Sequence, residues 1–234
     1  MPEASCFLCA QAAQENIHSE VYSIFIDRLI QSDEKKARLF NALQQNGAVK
    51  DKGEWCMKWS DASLPFPARL VSWAVVEGLL FCTSFCAIAF MKDRALMPGL
   101  GLANQYISRD ESLHASFACM LYRDYIENKL EEREVHAIFE SAVEVEDRFI
   151  EAALPCSIIG INPQQMKVYL RFTADRLLKM LGVSPLYNVK KCPFAFVSLI
   201  ATEAQSNFFE KRSSEYSKST LKVLEGKVSI EEDF

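Results

Sequence analysis

The sequence predicts an all-α protein built as a bundle of long helices. Three observations carry this. Apolar residues recur at three- and four-residue steps along most of the chain, sustained alternation of apolar and polar residues is weak, and capping residues, prolines and glycines fall where helices should begin and end.

The first helix is expected from about Glu3 to Ile30, and "QSDEKKARLFNALQQNG" reads as a shorter one, capped by Ser32 and closed by Gly47. "DASLPFP" breaks the chain before one apolar helix, Leu70 to Met91. "MPGLG" interrupts again, and a further helix follows from about Leu102 to Glu127. "EEREVHAIFESAVEVEDRFIEAAL" is amphipathic and ends before Pro155. "NPQQMKVYLRFTADRLLKMLG" starts with a cap and an early proline and stops at Gly182. After "SPLYNVKKCPFAF" a shorter helical piece runs to about Lys211. Residues 1–212 are thus expected to form the helical domain and 213–234, where apolar periodicity fades, a flexible tail.

Composition narrows the function. At 234 residues, half of them hydrophobic, the chain is long enough to bury a substantial core as one domain. A net charge of −5 without a basic stripe argues against nucleic-acid binding. Leu70 to Met91 has the length of a membrane span, but it stands alone and carries Glu77 mid-way; a buried central helix is the expectation, with no membrane. Cys82, Cys86 and Cys119 sit in apolar runs, as reduced thiols do. Cys6 and Cys9 form a CxxC with no second pair and no surrounding βαβ pattern, so helix packing is expected of them. The N-terminus lacks a basic segment followed by an apolar one, and a reducing, cytoplasmic location is expected.

Two of the three histidines share one local geometry: Glu15-x-x-His18 and Glu111-x-x-His114. On a helix, positions i and i+3 are neighbours, so each pair presents a carboxylate oxygen and an imidazole nitrogen to one point. First-row metals accept that mixture. One Glu-x-x-His is a weak signal, since a surface glutamate beside a packed histidine has the same spacing. Two such pairs, with Glu77 isolated in an apolar helix, match the ligand pattern of dimetal helical bundles. Tyr22 stands at i+7 from Glu15, on the same stripe, either as a core aromatic or as a one-electron donor beside a metal.

"ENIHSEVY", "VVEGLLFCTSF", "MPGLGLANQYISRDESLH" and "NFFEKRSSEY", in that order, resemble the small, radical-generating subunit of class I ribonucleotide reductase, of the eukaryotic and large-DNA-virus type. The resemblance covers nearly the whole chain. It implies a ferritin-like helical bundle in which two iron ions, or manganese as the alternative, activate O₂ and generate a tyrosyl radical. That radical is relayed to a large subunit that reduces ribonucleoside diphosphates to deoxyribonucleotides. Carried over, Glu15, His18, Glu77, Glu111 and His114 match metal ligands, and Tyr22 the radical tyrosine. Phe81, Phe85 and Ile107 match the apolar pocket around it, and Asp110 the carboxylate that bonds a metal-bound histidine. Tyr216 matches the relay tyrosine of the tail, and the terminal Glu231, Glu232, Asp233 and Phe234 the segment that docks on the large subunit. The resemblance also implies a homodimer.

One part of the pattern is not matched. The family has an aspartate ligand on a helix preceding the Glu15 helix, and a relay tryptophan further upstream. Fourteen residues precede Glu15, and their one acid, Glu3, lies on the same expected helix about three turns away. Either an upstream part is missing, or this is a shortened homologue with a weakened site that binds iron poorly and makes little radical. The alternative function is then a non-catalytic homologue that pairs with an active small subunit or occupies the large one through its tail. A ferritin-like iron oxidase is a third reading.

Overall fold

A computed structural model of the chain describes residues 2–155 and 160–197. Among these, nine complete α-helices and one π-helical turn follow one another without a strand, and residues 195–197 are again helical. They are α1 (Pro2–Leu29), α2 (Asp33–Phe40), α3 (Ala42–Gln45), α4 (Gly47–Ser60), α5 (Phe66–Gly78), α6 (Cys82–Asp93), α7 (Pro98–Met120), the π turn Leu121–Tyr125, α8 (Glu132–Ala153) and α9 (Pro163–Leu181). The core lies where α5 and α6 pack on α7 and α9, with α8 closing it from α4 and α9. Val71, Ala74, Val75, Leu79, Phe139, Leu170 and Leu178 are fully inside it. Burying each large aliphatic or aromatic side chain contributes roughly 1.5–3 kcal/mol.

The ends of α8 and α9 follow their local sequence. Glu131 and Glu134 form a reciprocal capping box at the start of α8. The Asn162 side chain accepts from the Gln165 N–H at 2.8 Å, and Gly182, at φ 80°, takes the left-handed conformation that closes α9. Ser32 likewise caps α2.

Four expectations change. Gly47 does not close a helix but opens α4, because the Asn46 side chain accepts from the N–H groups of Ala48 and Val49. The sequence reading missed α4; its anchor is Trp55, whose indole N–H donates to Ser141 Oγ at 2.9 Å. The apolar stretch from Leu70 to Met91 is two helices, α5 and α6, broken at 79–81. Leu80 N–H reaches back five residues to Val75 O, and the freed Leu80 carbonyl accepts from Lys52 Nζ at 2.7 Å. The last residue of α5 is Gly78, where a Cβ would meet Leu177 at 3.0 Å and Ala115 at 3.2 Å, so the close packing there admits glycine. Next, α7 starts at Pro98 rather than Leu102, since proline suits the first helical turn, and its α-helical part stops at Met120. Finally, Cys6 and Cys9 are exposed on α1 instead of packed. All described cysteines carry free thiols.

The helical piece expected through Lys211 extends beyond residue 197 and to that extent lies outside the described residues. So do the 212/213 boundary, Tyr216, and Glu231, Glu232, Asp233 and Phe234.

Candidate metal centre

Three helices bring the ligand set together. Helix α1 carries Glu15 and His18, α5 carries Glu77 at its C-terminal end, and α7 carries Glu111 and His114. The only buried residues of α1 are Gln11 and His18, so this helix meets the rest of the protein largely through its site face. Phe7 adds a stacked contact to Phe117, with ring centroids 3.7 Å apart, and meets the His114 ring edge-on.

Glu15 and Glu111 each turn one oxygen toward each imidazole. Glu111 Oε1 lies 3.1 Å from His18 Nδ1, and its Oε2 lies 3.4 Å from His114 Nδ1. Glu15 Oε2 lies 3.7 Å from His18 Nδ1 and its Oε1 3.1 Å from His114 Nδ1. Glu77 Oε2 sits 3.6 Å from His114 Nδ1. One ligand atom from each of Glu15, Glu77, Glu111 and His114 falls within 4.8 Å of the others, while His18 joins through Glu15 and Glu111. Glu15 and Glu111 thus each reach both imidazoles.

The outer faces of the rings are anchored. His18 Nε2 is 3.2 Å from Asp110 Oδ2, and His114 Nε2 is 3.0 Å from Gln14 Oε1. An Nε2–H donated outward leaves the Nδ1 lone pair facing the cluster, as metal ligation requires. Both Nδ1 atoms, Glu15 Oε1 and Glu111 Oε2 are buried without a hydrogen-bond partner. Buried polar atoms are otherwise almost always paired. Convergent orphaned atoms of mixed carboxylate and imidazole type fit a first-row cation.

The electrostatics agree. Burial, then the hydrogen bond and charge of Glu77, push the Glu111 carboxyl up to about 10. Burial and Glu77 raise Glu15 as well, against lowering by the two histidines. Carboxylates crowded into a poorly hydrated space hold protons until a cation replaces them.

Tyr22 is half-buried one turn beyond His18, and burial followed by the Glu111 charge pushes its phenol up to about 12. Ile107 is buried and Phe85 half-buried, but Phe81, at the helix break, is 43% exposed. The Phe81 and Phe85 rings are 6.3 Å apart. Glu3 is exposed and is not one of the grouped ligands. Sequence reasoning missed three residues that touch the ligands: Gln11, Gln14 and Trp73. Gln11 and Gln14 stand seven and four residues before His18, on its own stripe; Trp73 stands four before Glu77. That spacing was the available signal.

Residues 1–193 match the family described as "Ribonucleotide reductase, small chain". The chain is 45% identical over 238 residues to the ribonucleoside-diphosphate reductase small chain of Nicotiana tabacum, covering 99% of this chain and 72% of that protein. It is 46% identical over 237 residues to that of Trypanosoma brucei brucei, covering 100% and 70%. It is also 43% identical over 233 residues to the small chain of vaccinia virus (strain Ankara), covering 99% and 72%. Among solved structures, the ribonucleotide reductase Rnr4 homodimer of Saccharomyces cerevisiae superposes with a TM-score of 0.75 at 31% identity, over 92% of this chain and 65% of that one. The R2 subunit from Clostridium botulinum, at 19% identity and a TM-score of 0.74, shares the fold over 84% of this chain and 66% of that one. With its helical bundle, its paired Glu-x-x-His helices and relatives of this closeness over nearly its whole length, the chain belongs to the ribonucleotide reductase small-chain family.

Proposed function

We propose that this chain generates a tyrosyl radical at Tyr22 and delivers its oxidising equivalent to a large subunit for ribonucleoside-diphosphate reduction. The observation that carries the reading is the convergence of orphaned, buried ligand atoms one turn from a half-buried tyrosine. Two iron ions, with manganese as the alternative, would supply one-electron oxidation with O₂ when bound. Glu15, His18, Glu77, Glu111 and His114 would hold them. Asp110 would hold the His18 ring in the required tautomer. Tyr22 keeps its proton on Oη at neutral pH, so it would give up a proton together with an electron. Ile107 and Phe85 would limit access of water to the ring, with Phe81 as the outer wall. Tyr216 would pass the equivalent onward. Glu231, Glu232, Asp233 and Phe234 would seat the chain on the large subunit, and the small subunit would act as a cytoplasmic homodimer.

The test is reconstitution of the chain with Fe²⁺ and O₂, read by electron paramagnetic resonance. A tyrosyl signal that disappears in Tyr22→Phe supports the assignment. A signal unchanged in Tyr22→Phe rules it out. With five ligands among the described residues the expected yield is low, so excess Fe²⁺ is used.

A further inference from the structure

Glu77 is held differently from the other carboxylates of the cluster. Its Oε1 accepts two hydrogen bonds, from Gln11 Nε2 at 2.8 Å and from Trp73 Nε1 at 2.7 Å. Its Oε2 alone faces the cluster, 3.6 Å from His114 Nδ1. Glu15 and Glu111 instead divide their oxygens between the two imidazoles. We propose that Trp73, together with Gln11, is a positioning residue that holds Glu77 Oε1 out of the cluster, so that Glu77 would meet a metal on the His114 side through Oε2 alone. The inference rests on reading the cluster as a metal centre.

Trp73 and Glu77 are four residues apart on α5 and share a face, while Gln11 approaches from α1, so Oε1 is pinned from two directions. The indole bond is not a packing requirement of this fold. Trp55 donates to a hydroxyl, and the buried Nε1 of Trp59 has no hydrogen-bond partner. Trp73 is the tryptophan whose N–H meets a carboxylate. Charge-assisted bonds of this kind are the stronger ones, and two on one oxygen draw its electron density away from a cation. Turning Glu77 to present both oxygens would break both bonds. Gln11 is 5% exposed and its own Oε1 already lacks a partner, so its amide has poor access to water as a substitute.

The experiment is a Mn²⁺ titration of the full chain, with free ion read by electron paramagnetic resonance and carboxylate stretches by difference infrared spectroscopy. Trp73→Phe keeps an aromatic ring and removes the donor. The expected result is a roughly 10–100-fold loss of Mn²⁺ affinity. A narrower splitting of the carboxylate stretches should accompany it, in a band that Glu77→Gln removes. Gln11→Leu, on a helix that buries little else, should move both readouts in the same direction, and it carries the test if Trp73→Phe does not fold. Unchanged affinity and unchanged carboxylate bands in the folded variant overturn this inference alone. Absence of Mn²⁺ binding by the unsubstituted chain overturns the metal reading and this inference with it.

Discussion

Two clusters of buried charged groups lie on either side of the α5–α6 break, and they are finished in opposite ways. Beyond the break, Glu146 is fully buried, accepts a hydrogen bond from Thr83 Oγ1, and has Lys52 Nζ 2.7 Å from its other oxygen. The same ammonium donates to the Leu80 carbonyl and lies 3.7 Å from the centre of the Phe149 ring. Before the break, Glu15, Glu77, Glu111, His18 and His114 converge with no lysine or arginine among them, so their four orphaned atoms face one another, whereas Glu146 Oε2, also without a hydrogen bond, has the Lys52 ammonium beside it. A buried carboxylate that brings its own cation is part of the scaffold. A set that leaves the position of the cation open is built to receive one.

The largest expected effect falls on the self-sufficient cluster. Lys52→Met strands Glu146 and releases the Leu80 carbonyl, and losing one partner of a buried pair costs about 3–5 kcal/mol. Denaturant unfolding of the metal-free chain measures it. Glu111→Gln, a near-isosteric change at a carboxyl already driven to its protonated form by burial and Glu77, should cost about 1 kcal/mol or less. Equal losses at the two sites would break the comparison.

Metal reverses the ranking. A cation that binds only the folded chain stabilises it by about 2.7 kcal/mol at a concentration of about 100 Kd. With Mn²⁺ as the probe, that gain should appear in the unsubstituted chain, persist in folded Lys52→Met and vanish in Glu111→Gln. A gain that survives Glu111→Gln would place the cation elsewhere.

The difference between the clusters also marks how far sequence alone reaches. The two Glu-x-x-His pairs are visible because i,i+3 geometry is local: any helix through Glu15–His18 or Glu111–His114 aligns them. The bounds of α8 and α9 are visible for the same reason, in Glu131, Asn162 and Gly182. The break in the apolar helix is not, because hydropathy runs unbroken through Leu79 and Leu80. What accompanies it is tertiary: Lys52, from α4, donates to the Leu80 carbonyl that the break frees. Glu146 lies 94 residues from Lys52, so no spacing rule pairs them. Gln14 was hidden differently, as an ordinary helix residue whose partner His114 appears only once α1 and α7 are assembled, while Trp73 sits four residues before Glu77 on α5, a spacing that many uninvolved helix pairs share.

Protonation gives a smaller and signed effect. In the metal-free chain the Glu111 carboxyl is raised to about 10, chiefly by burial and then by Glu77. The folded state therefore holds a proton that the unfolded state releases near the ordinary glutamate value of 4.5. Its contribution to stability is complete below that value and is lost as pH rises toward about 10. Glu146 is raised by burial too and adds a trend of the same sign, so the informative quantity is the difference between the unsubstituted chain and Glu111→Gln. Denaturant midpoints compared at about pH 6 and about pH 9 should fall more steeply in the former. Mn²⁺ uptake near neutrality should release protons, detectable by calorimetry in buffers of different ionisation enthalpy, and Lys52→Met should leave that release in place.

The smallest effect concerns Tyr22, which stabilises neither cluster but reports on one of them. Burial, then the charge of Glu111, sets its phenol at about 12. Tyr187 is also pushed up to about 12, and burial raises Tyr122 and Tyr169, so total phenolate absorbance cannot single it out. The difference titration between the unsubstituted chain and Tyr22→Phe can, and it should show one late step. In Glu111→Gln that step should move to lower pH without returning to the ordinary tyrosine value, because the charge is the lesser cause and burial remains. In Lys52→Met it should not move. A Tyr22 step indifferent to Glu111 would mean the phenol and the ligand cluster are electrostatically separate, and the tyrosine would lose its place beside the metal centre even if that centre binds its ions.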